Sequence, residues 1–295
     1  MASLKEIRAR IGSVTSTFKI TSAMKMVSSA KLKKAEDRTL QTVPYKNKLT
    51  EVLARYLGSI DDENFKVSLS IERDVKKVAL VAISSSTGLC GAFNSNIIKL
   101  LNKRVAEKLA SGQKIVIVPI GKKVAESVKN TYLNKEGIEV DFSYIHLCEK
   151  PEYESSSEVA KLFTDKFVSG EIDRVELLYN HYKNAGVQVP TIDQFLPLPT
   201  IKGSNDNSNK LYFVEPDAVT FVENLVPIVV KMMFYATLLD SSTSEFGART
   251  TAMQIASDNA QSLLAEITQQ YNRARQEVIT NELIDIVGGS EALRN

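Results

Sequence analysis

From Leu4 the apolar residues fall at Leu4, Ile7, Ile11, Val14 and Phe18, alternating steps of three and four that mark the seam of a two-helix coiled coil. The same register then lands on Thr21, Lys25 and Ser28 before Leu32 and Ala35, so the seam turns polar while Ile20, Met24 and Val27 form a neighbouring stripe. Beyond Pro44, Leu49, Val52, Leu53, Tyr56, Leu57 and Ile60 resume the helical period. The pattern predicts a helix over residues 3–58, kinked at the proline, with a loop at Asp61 to Asn64.

The middle of the chain alternates. "KKVALVAIS" (76–84) and "QKIVIVPIG" (113–121) are short β-branched runs of the kind that form buried parallel strands, and "SNIIKLLNKRVAEKLA" (95–110) between them is helical. After this βαβ unit the pattern predicts a helix at 122–133, a strand at 138–145, a helix at 156–168, a strand at 173–183 and the segment "VQVPTIDQFLPLP" (187–199). The expected centre is a Rossmann-like α/β domain with a mostly parallel sheet. The polar stretch "TIKGSNDNSNK" (200–210) reads as a loop.

From Pro216 to about Val287 no strong helix stop occurs: Pro227 lies early, and Gly247 is tolerable in a helix at a cost of about 1 kcal/mol. Seventy-odd helical residues run on the order of 100 Å at 1.5 Å per residue, too long for one domain to bury. Ala256, Ala260, Leu263, Ile267, Tyr271, Ala274 and Val278 form one stripe. Two long terminal helices around a compact insert predict an antiparallel coiled-coil stalk. The expected divisions are 1–60 for the first helix, 61–215 for the α/β domain and 216–295 for the last helix. Near its end, Val278, Ile279, Leu283, Ile284, Ile286 and Val287 cover about 240° of the circumference where a two-helix seam needs only about 100°. One partner helix cannot cover that, so the tip is expected to enter an apolar environment in another protein, with Gly288 and Gly289 ending the helix.

Composition changes this picture little. The 295 residues are 43% hydrophobic and 24% charged with a net charge of +2, a soluble globular balance, yet residues 1–48 hold eleven Lys or Arg against three acids. Two distant cysteines, Cys90 and Cys148, fit a reducing compartment better than a disulfide framework. With only His146 and His181, a zinc site or histidine triad has little to be built from. The start "MASLKEIRARIGSV" has no long apolar h-region, and no unbroken run of eighteen or so apolar residues occurs, so neither a secretory leader nor a membrane span is expected.

The stretch "SSSTGLCGAFNSN" (84–96) follows a strand and opens a helix, the place where phosphate loops sit. A G-x-x-x-x-G-K-[ST] loop needs a lysine after its second glycine, but Gly91 is followed by Ala92 and Phe93, and the next lysine is Lys99. A dinucleotide fingerprint needs three glycines and an acid at the end of the next strand; only Gly88 and Gly91 are present, and that strand ends at Gly121-Lys122-Lys123. A strand-to-helix joint remains, with Leu89 and Phe93 filling the core and Asn94 or Ser95 capping the helix.

Taken whole, the chain resembles the gamma subunit family of the rotary F-type ATP synthase, from "KEIRARIGSVTSTFKITSAMKMVSSAKLKKAE" through "GLCGAFNSN" to "AMQIASDNAQSLLAEITQQYNRARQEVITNELIDIVGG". The usual Gly-Ala of the C-terminal signature is here Gly288-Gly289. The resemblance implies a central rotor shaft with no catalytic and no metal-binding residues of its own, standing in a ring of three alpha and three beta subunits that carry ATP, ADP and magnesium. It implies an epsilon subunit and a membrane rotor ring at the foot, and a peripheral position on the cytoplasmic face of a bacterial inner membrane. By the same resemblance Arg249, Arg275, Gln276 and Thr280 match positions that hydrogen-bond to beta-subunit catch loops, and Met24 with Lys25 match the site beside the beta subunit's acidic lever. The tip residues would sit in a sleeve of the alpha/beta ring, and Tyr212 and Glu215 would meet the membrane ring. The inserted cysteine pair of chloroplast relatives is absent, so no thiol switch is expected. The rival readings are a nucleotide-dependent α/β enzyme with a coiled-coil arm and, from the basic first helix, a nucleic-acid binder, against which the aromatic-poor apolar tip argues; no nucleic-acid partner is expected.

Overall fold

The computed structural model describes residues 4–59, 68–198 and 217–292, with side-chain detail for all but the ends of the two long helices. The element order is α1 (Leu4–Ser59), β1 (Lys77–Ile83), α2 (Phe93–Ala110), β2 (Lys114–Ile120), α3 (Lys122–Tyr132), β3 (Ile138–Val140), α4 (Tyr153–Val168), β4 (Arg174–Asn184), β5 (Val187–Leu196) and α5 (Ala218–Ala292). Two compact units emerge: Met1–Ser28 with Thr250–Asn295, and Ser29–Arg249. Both Pro44 and Pro227 lie inside unbroken helices. The expected loops at 61–64 and 200–210, and the foot residues Tyr212 and Glu215, lie outside the described residues.

In the larger unit the sheet order is β3-β2-β1-β4-β5, with β3, β2, β1 and β4 parallel and β5 antiparallel to β4. Strand alternation sorts the core into two faces. Val78, Leu80 and Ala82 of β1 pack with Ile97, Leu101, Val105, Val124 and Val128 of α2 and α3. Ala79, Val81 and Ile83 face the other way, with Leu53 of α1, Phe163 and Phe167 of α4, and Val226, Val230, Phe234 and Leu238 of α5. Within this unit α1 and α5 run antiparallel: Thr39 sits 3.1 Å from Thr243, and the rings of Tyr56 and Phe221 are 4.7 Å apart. One window of α5 is long and apolar enough by composition to cross a bilayer, although no unbroken apolar run marks it, and more than half of it is buried inside the protein. Helix packing against the sheet accounts for that apolar content.

Three local expectations change. The strand at 138–145 contracts to Ile138–Val140 on the sheet edge, and Ile145–Cys148 forms a 3₁₀ turn; only three residues find partners on β2. The capping role of Asn94 or Ser95 is overturned: α2 begins at Phe93 after Ala92 with no side-chain cap, and the Ser95 hydroxyl donates to the Ala92 carbonyl. The glycine pair does not stop α5, which continues to Ala292; glycine ends a helix only when the chain turns left-handed, and neither Gly288 nor Gly289 has a positive φ.

A buried ion cluster pins α2 to the sheet. Glu176 on β4 is 2% exposed and accepts two hydrogen bonds from Arg104, at 2.7 and 2.8 Å, with Lys108 Nζ at 3.1 Å. Burial alone would raise the Glu176 carboxyl, but Arg104 and Lys108 outweigh it and hold the group below its usual value. A depressed folded-state value contributes stability above the unfolded carboxyl value and loses it as pH falls through the folded one. Glu176→Gln is therefore expected to lower unfolding stability by about 2 kcal/mol at neutral pH. Urea titrations should show the gap between variant and parent closing at acid pH.

Candidate functional site

The smaller unit is a two-stranded antiparallel coil made of the start of α1 and the end of α5. Leu4, Ile7, Ile11, Val14 and Phe18 are all half-buried, as a seam with one partner helix requires, and Ala260 and Ile267 are buried opposite them. Leu263, placed on the stripe by its spacing, instead points outward at 36% exposure. Where the seam turns polar, hydroxyls replace methyls: Ser257 donates to Thr21 Oγ1 at 2.9 Å and lies 3.4 Å from Ser22 Oγ. Met24 and Lys25 are half-buried beside this layer. An open groove of about 530 Å³ between the helices is lined by Glu6, Ile7, Arg10, Gln270, Arg273 and Glu277.

Past Ala274 the coil leaves α5 uncovered. Arg275, Gln276 and Thr280 are exposed, and the Thr280 hydroxyl only returns a bond to the Gln276 carbonyl of its own helix. The tip residues Val278, Ile279, Leu283, Ile284, Ile286 and Val287 are 39–68% exposed. Apolar side chains bare to water around most of a helix are costly to leave so, and no described element covers them.

Arg249 behaves differently from the other residues of the predicted set and belongs to the other unit. Its guanidinium is buried, with Nη1 2.7 Å from Glu245 Oε1 and Nη2 donating to the hydroxyl and carbonyl of Thr87 at 2.8 and 3.2 Å. Burial pushes the Glu245 carboxyl up, against the pull of Arg249 and Lys31. Neither Glu245 nor Thr87 is singled out by the sequence reading, although an acid four residues before Arg249 is a recognisable helical ion-pair spacing.

What Arg249 holds is the loop first tested for nucleotide. Ser85 N–H donates to Asn94 Oδ1 at 3.0 Å, Asn94 Nδ2 donates to Ser85 Oγ at 2.8 Å, and Asn180 Nδ2 donates to the Phe93 carbonyl at 3.0 Å. The Ser85 N–H just past the end of β1 is thus engaged by a side chain of the same joint. Cys90 and Phe93 pack on Ala248. Leu89, expected in the core, is 63% exposed and left-handed at φ 63°, a conformation that costs a branched residue of order 1–2 kcal/mol. The buried Cys90 takes the inward place.

The architecture is that of a coiled-coil protein with an α/β domain inserted in sequence between its two long helices. A family model described as ATP synthase matches residues 3–293. The "ATP synthase gamma chain" of Bacteroides fragilis is 46% identical over 297 residues, covering 99% of this chain and all of the relative; that of Flavobacterium psychrophilum is 44% identical over 294 residues, covering both chains fully. Among solved structures, a chain of the Tetrahymena thermophila mitochondrial ATP synthase, central stalk and c-ring, matches with a TM-score of 0.56 and 25% identity over 81% of this chain and 99% of that one. A chain of the Euglena gracilis mitochondrial ATP synthase matches in fold, with a TM-score of 0.64 at 19% identity, covering 98% of this chain and 94% of that one. The chain belongs to the ATP synthase gamma chain family.

Proposed function

We propose that this chain is the central rotor shaft of a proton-translocating ATP synthase, coupling rotation of the membrane ring to conformational change at catalytic sites on its neighbours. It is a non-catalytic subunit: its work is mechanical. The observation that carries the reading is the bare apolar tip of α5, six exposed aliphatic residues on a coiled-coil helix, which suits a shaft end turning inside an apolar sleeve.

The partners are a ring of three alpha and three beta subunits, an epsilon subunit and the membrane rotor ring; ATP or ADP with magnesium binds the neighbours. Arg275, Gln276 and Thr280, exposed and without long-range partners of their own, supply hydrogen bonds to beta-subunit catch loops. Met24 and Lys25 meet the beta subunit's acidic lever, where the basic first helix biases angular energy through Coulomb attraction. Arg249 enters at one remove, because its buried guanidinium presents the loop carrying Leu89 to the partner. Tyr212 and Glu215 serve at the foot. The complex lies peripherally on the cytoplasmic face of a bacterial inner membrane.

Reconstitution tests this reading. The purified chain is expected to hydrolyse no ATP, and to support turnover when mixed with alpha and beta subunits of the same organism. Truncation after Glu277 should weaken assembly by about tenfold or more, since each large apolar side chain buried at an interface is worth roughly 1.5–3 kcal/mol, while circular dichroism of the α/β domain stays unchanged. Hydrolysis by the chain alone, or full assembly of the truncated chain, would overturn it.

A further inference from the structure

The β4–β5 hairpin reaches both long helices at one level, entirely within the larger unit. Tyr182, near the end of β4, donates its hydroxyl to Glu36 Oε1 of α1 at 2.6 Å. The Tyr182 backbone N–H donates to Asp240 Oδ1 of α5 at 2.9 Å, and His181 Nδ1 lies 2.6 Å from Asp240 Oδ2. The hairpin turn also presses on α5 at Gly247: a Cβ there would meet Tyr182 Cε2 at 3.0 Å and Ala185 Cα at 3.3 Å. A mid-helix glycine that looked merely tolerable is what lets the hairpin seat.

At this level α1 and α5 meet through a mixed layer of apolar and hydroxyl side chains. On α5 Leu238 and Leu239 are buried beside Ser241, Thr243 and Ser244, and on α1 Leu32 and Ala35 are buried; Thr39 and Thr243 meet through their hydroxyls, and Lys31 lies over the Phe246 ring. Hydrogen bonds to carboxylates are the short, strong kind, and here one strand end makes such a bond to each helix. Glu36 and Asp240 also stand close in sequence to Ser29 and Arg249, where the larger unit ends on either helix.

We infer that the β4–β5 hairpin is a torque clasp, with Tyr182 and Asp240 as positioning residues that tie α1 and α5 to the sheet domain so that turning the domain turns both helices together. This rests on the rotor reading. Neither residue touches nucleotide or a reacting atom. Their effect is on the torsional stiffness with which the sheet domain holds the two helices.

The test uses the complex with alpha and beta subunits, with a bead attached through Lys129→Cys on the exposed face of α3. Angular fluctuation of the bead is recorded in complexes stalled with nucleotide, and ATP hydrolysis is recorded without load. Glu36→Leu removes the Tyr182 bond to α1 while the apolar packing of both helices on the sheet remains, so it should widen the angular variance measurably. The double variant Tyr182→Phe/Asp240→Ala should widen it further, with unloaded hydrolysis unchanged. Glu36→Gln keeps an acceptor for the Tyr182 hydroxyl but loses the charge, so its variance should fall between those of the parent and Glu36→Leu. Parent-like variance in assembled Glu36→Leu complexes would overturn the clasp, as would equal widening by Glu36→Gln and Glu36→Leu. A parent complex whose bead never rotates with ATP would overturn the rotor reading instead.

Discussion

Arg249→Leu is expected to destabilise the chain by about 3–5 kcal/mol, because it strips the partner from a carboxylate that stays buried. Glu245 is 9% exposed and Arg249 7%, so little water is available to take over the lost interaction. Thr87 loses the guanidinium that reaches both its hydroxyl and its carbonyl, and the strained Leu89 beside it loses its support. Arg249→Lys restores charge without the planar fork and should fall between parent and leucine. The double variant Glu245→Leu/Arg249→Leu should be more stable than Arg249→Leu alone, since it removes the orphaned carboxylate as well. Denaturant unfolding of the four proteins decides the matter. If Arg249→Leu unfolds within about 1 kcal/mol of the parent, the pair contributes no more than an exposed one does.

The second large effect is expected at Gly121→Ala. Gly121 opens α3 at φ 103°, and an added Cβ would lie 2.6 Å from Ser84 Oγ and 2.7 Å from the Ser84 carbonyl carbon. The same Ser84 hydroxyl accepts the Val124 N–H at 3.1 Å, satisfying one of the free amides of the α3 first turn, and the Gly121 N–H donates to Ile145 at 2.8 Å. The substitution therefore strains the backbone and pushes away the cap in one step, at a cost of about 3 kcal/mol or more. A melting temperature within a degree or two of the parent's would show that the strands part to admit the methyl group. Because Gly121 lies at the end of β2, within the larger unit, hydrogen exchange should open β2 and α3 first and spare residues 4–28 and 250–274.

Much of the fold was legible because helices and strands impose different periods on side-chain burial. The three–four spacing from Leu4 to Phe18 located one seam, and β-branched runs located β1 and β2 to within a residue at either end. The exposed spiral from Val278 to Val287 was readable for the same reason: too wide for one partner helix, it is bare in the structure. Failures came where a residue's role depends on something distant in sequence. Hydrophobicity places Leu89 inside, but at φ 63° its side chain is exposed and Cys90 packs with Phe93 and Ala248 instead. Asn94 looked like a cap, and was taken instead by Ser85 nine residues earlier.

Period and composition alone locate the long helices and the strands β1 and β2, and show that the glycine loop lacks the lysine and third glycine of a phosphate site. These are local properties, set by spacings of a few residues. That Arg249 is spent inside the chain while Arg275, Gln276 and Thr280 stand free, and that one hairpin grips Glu36 and Asp240, are decided only by tertiary structure. A polar side chain carries its hydrogen-bonding capacity in its covalent formula, but which partner satisfies it depends on what the folded backbone brings within about 3 Å.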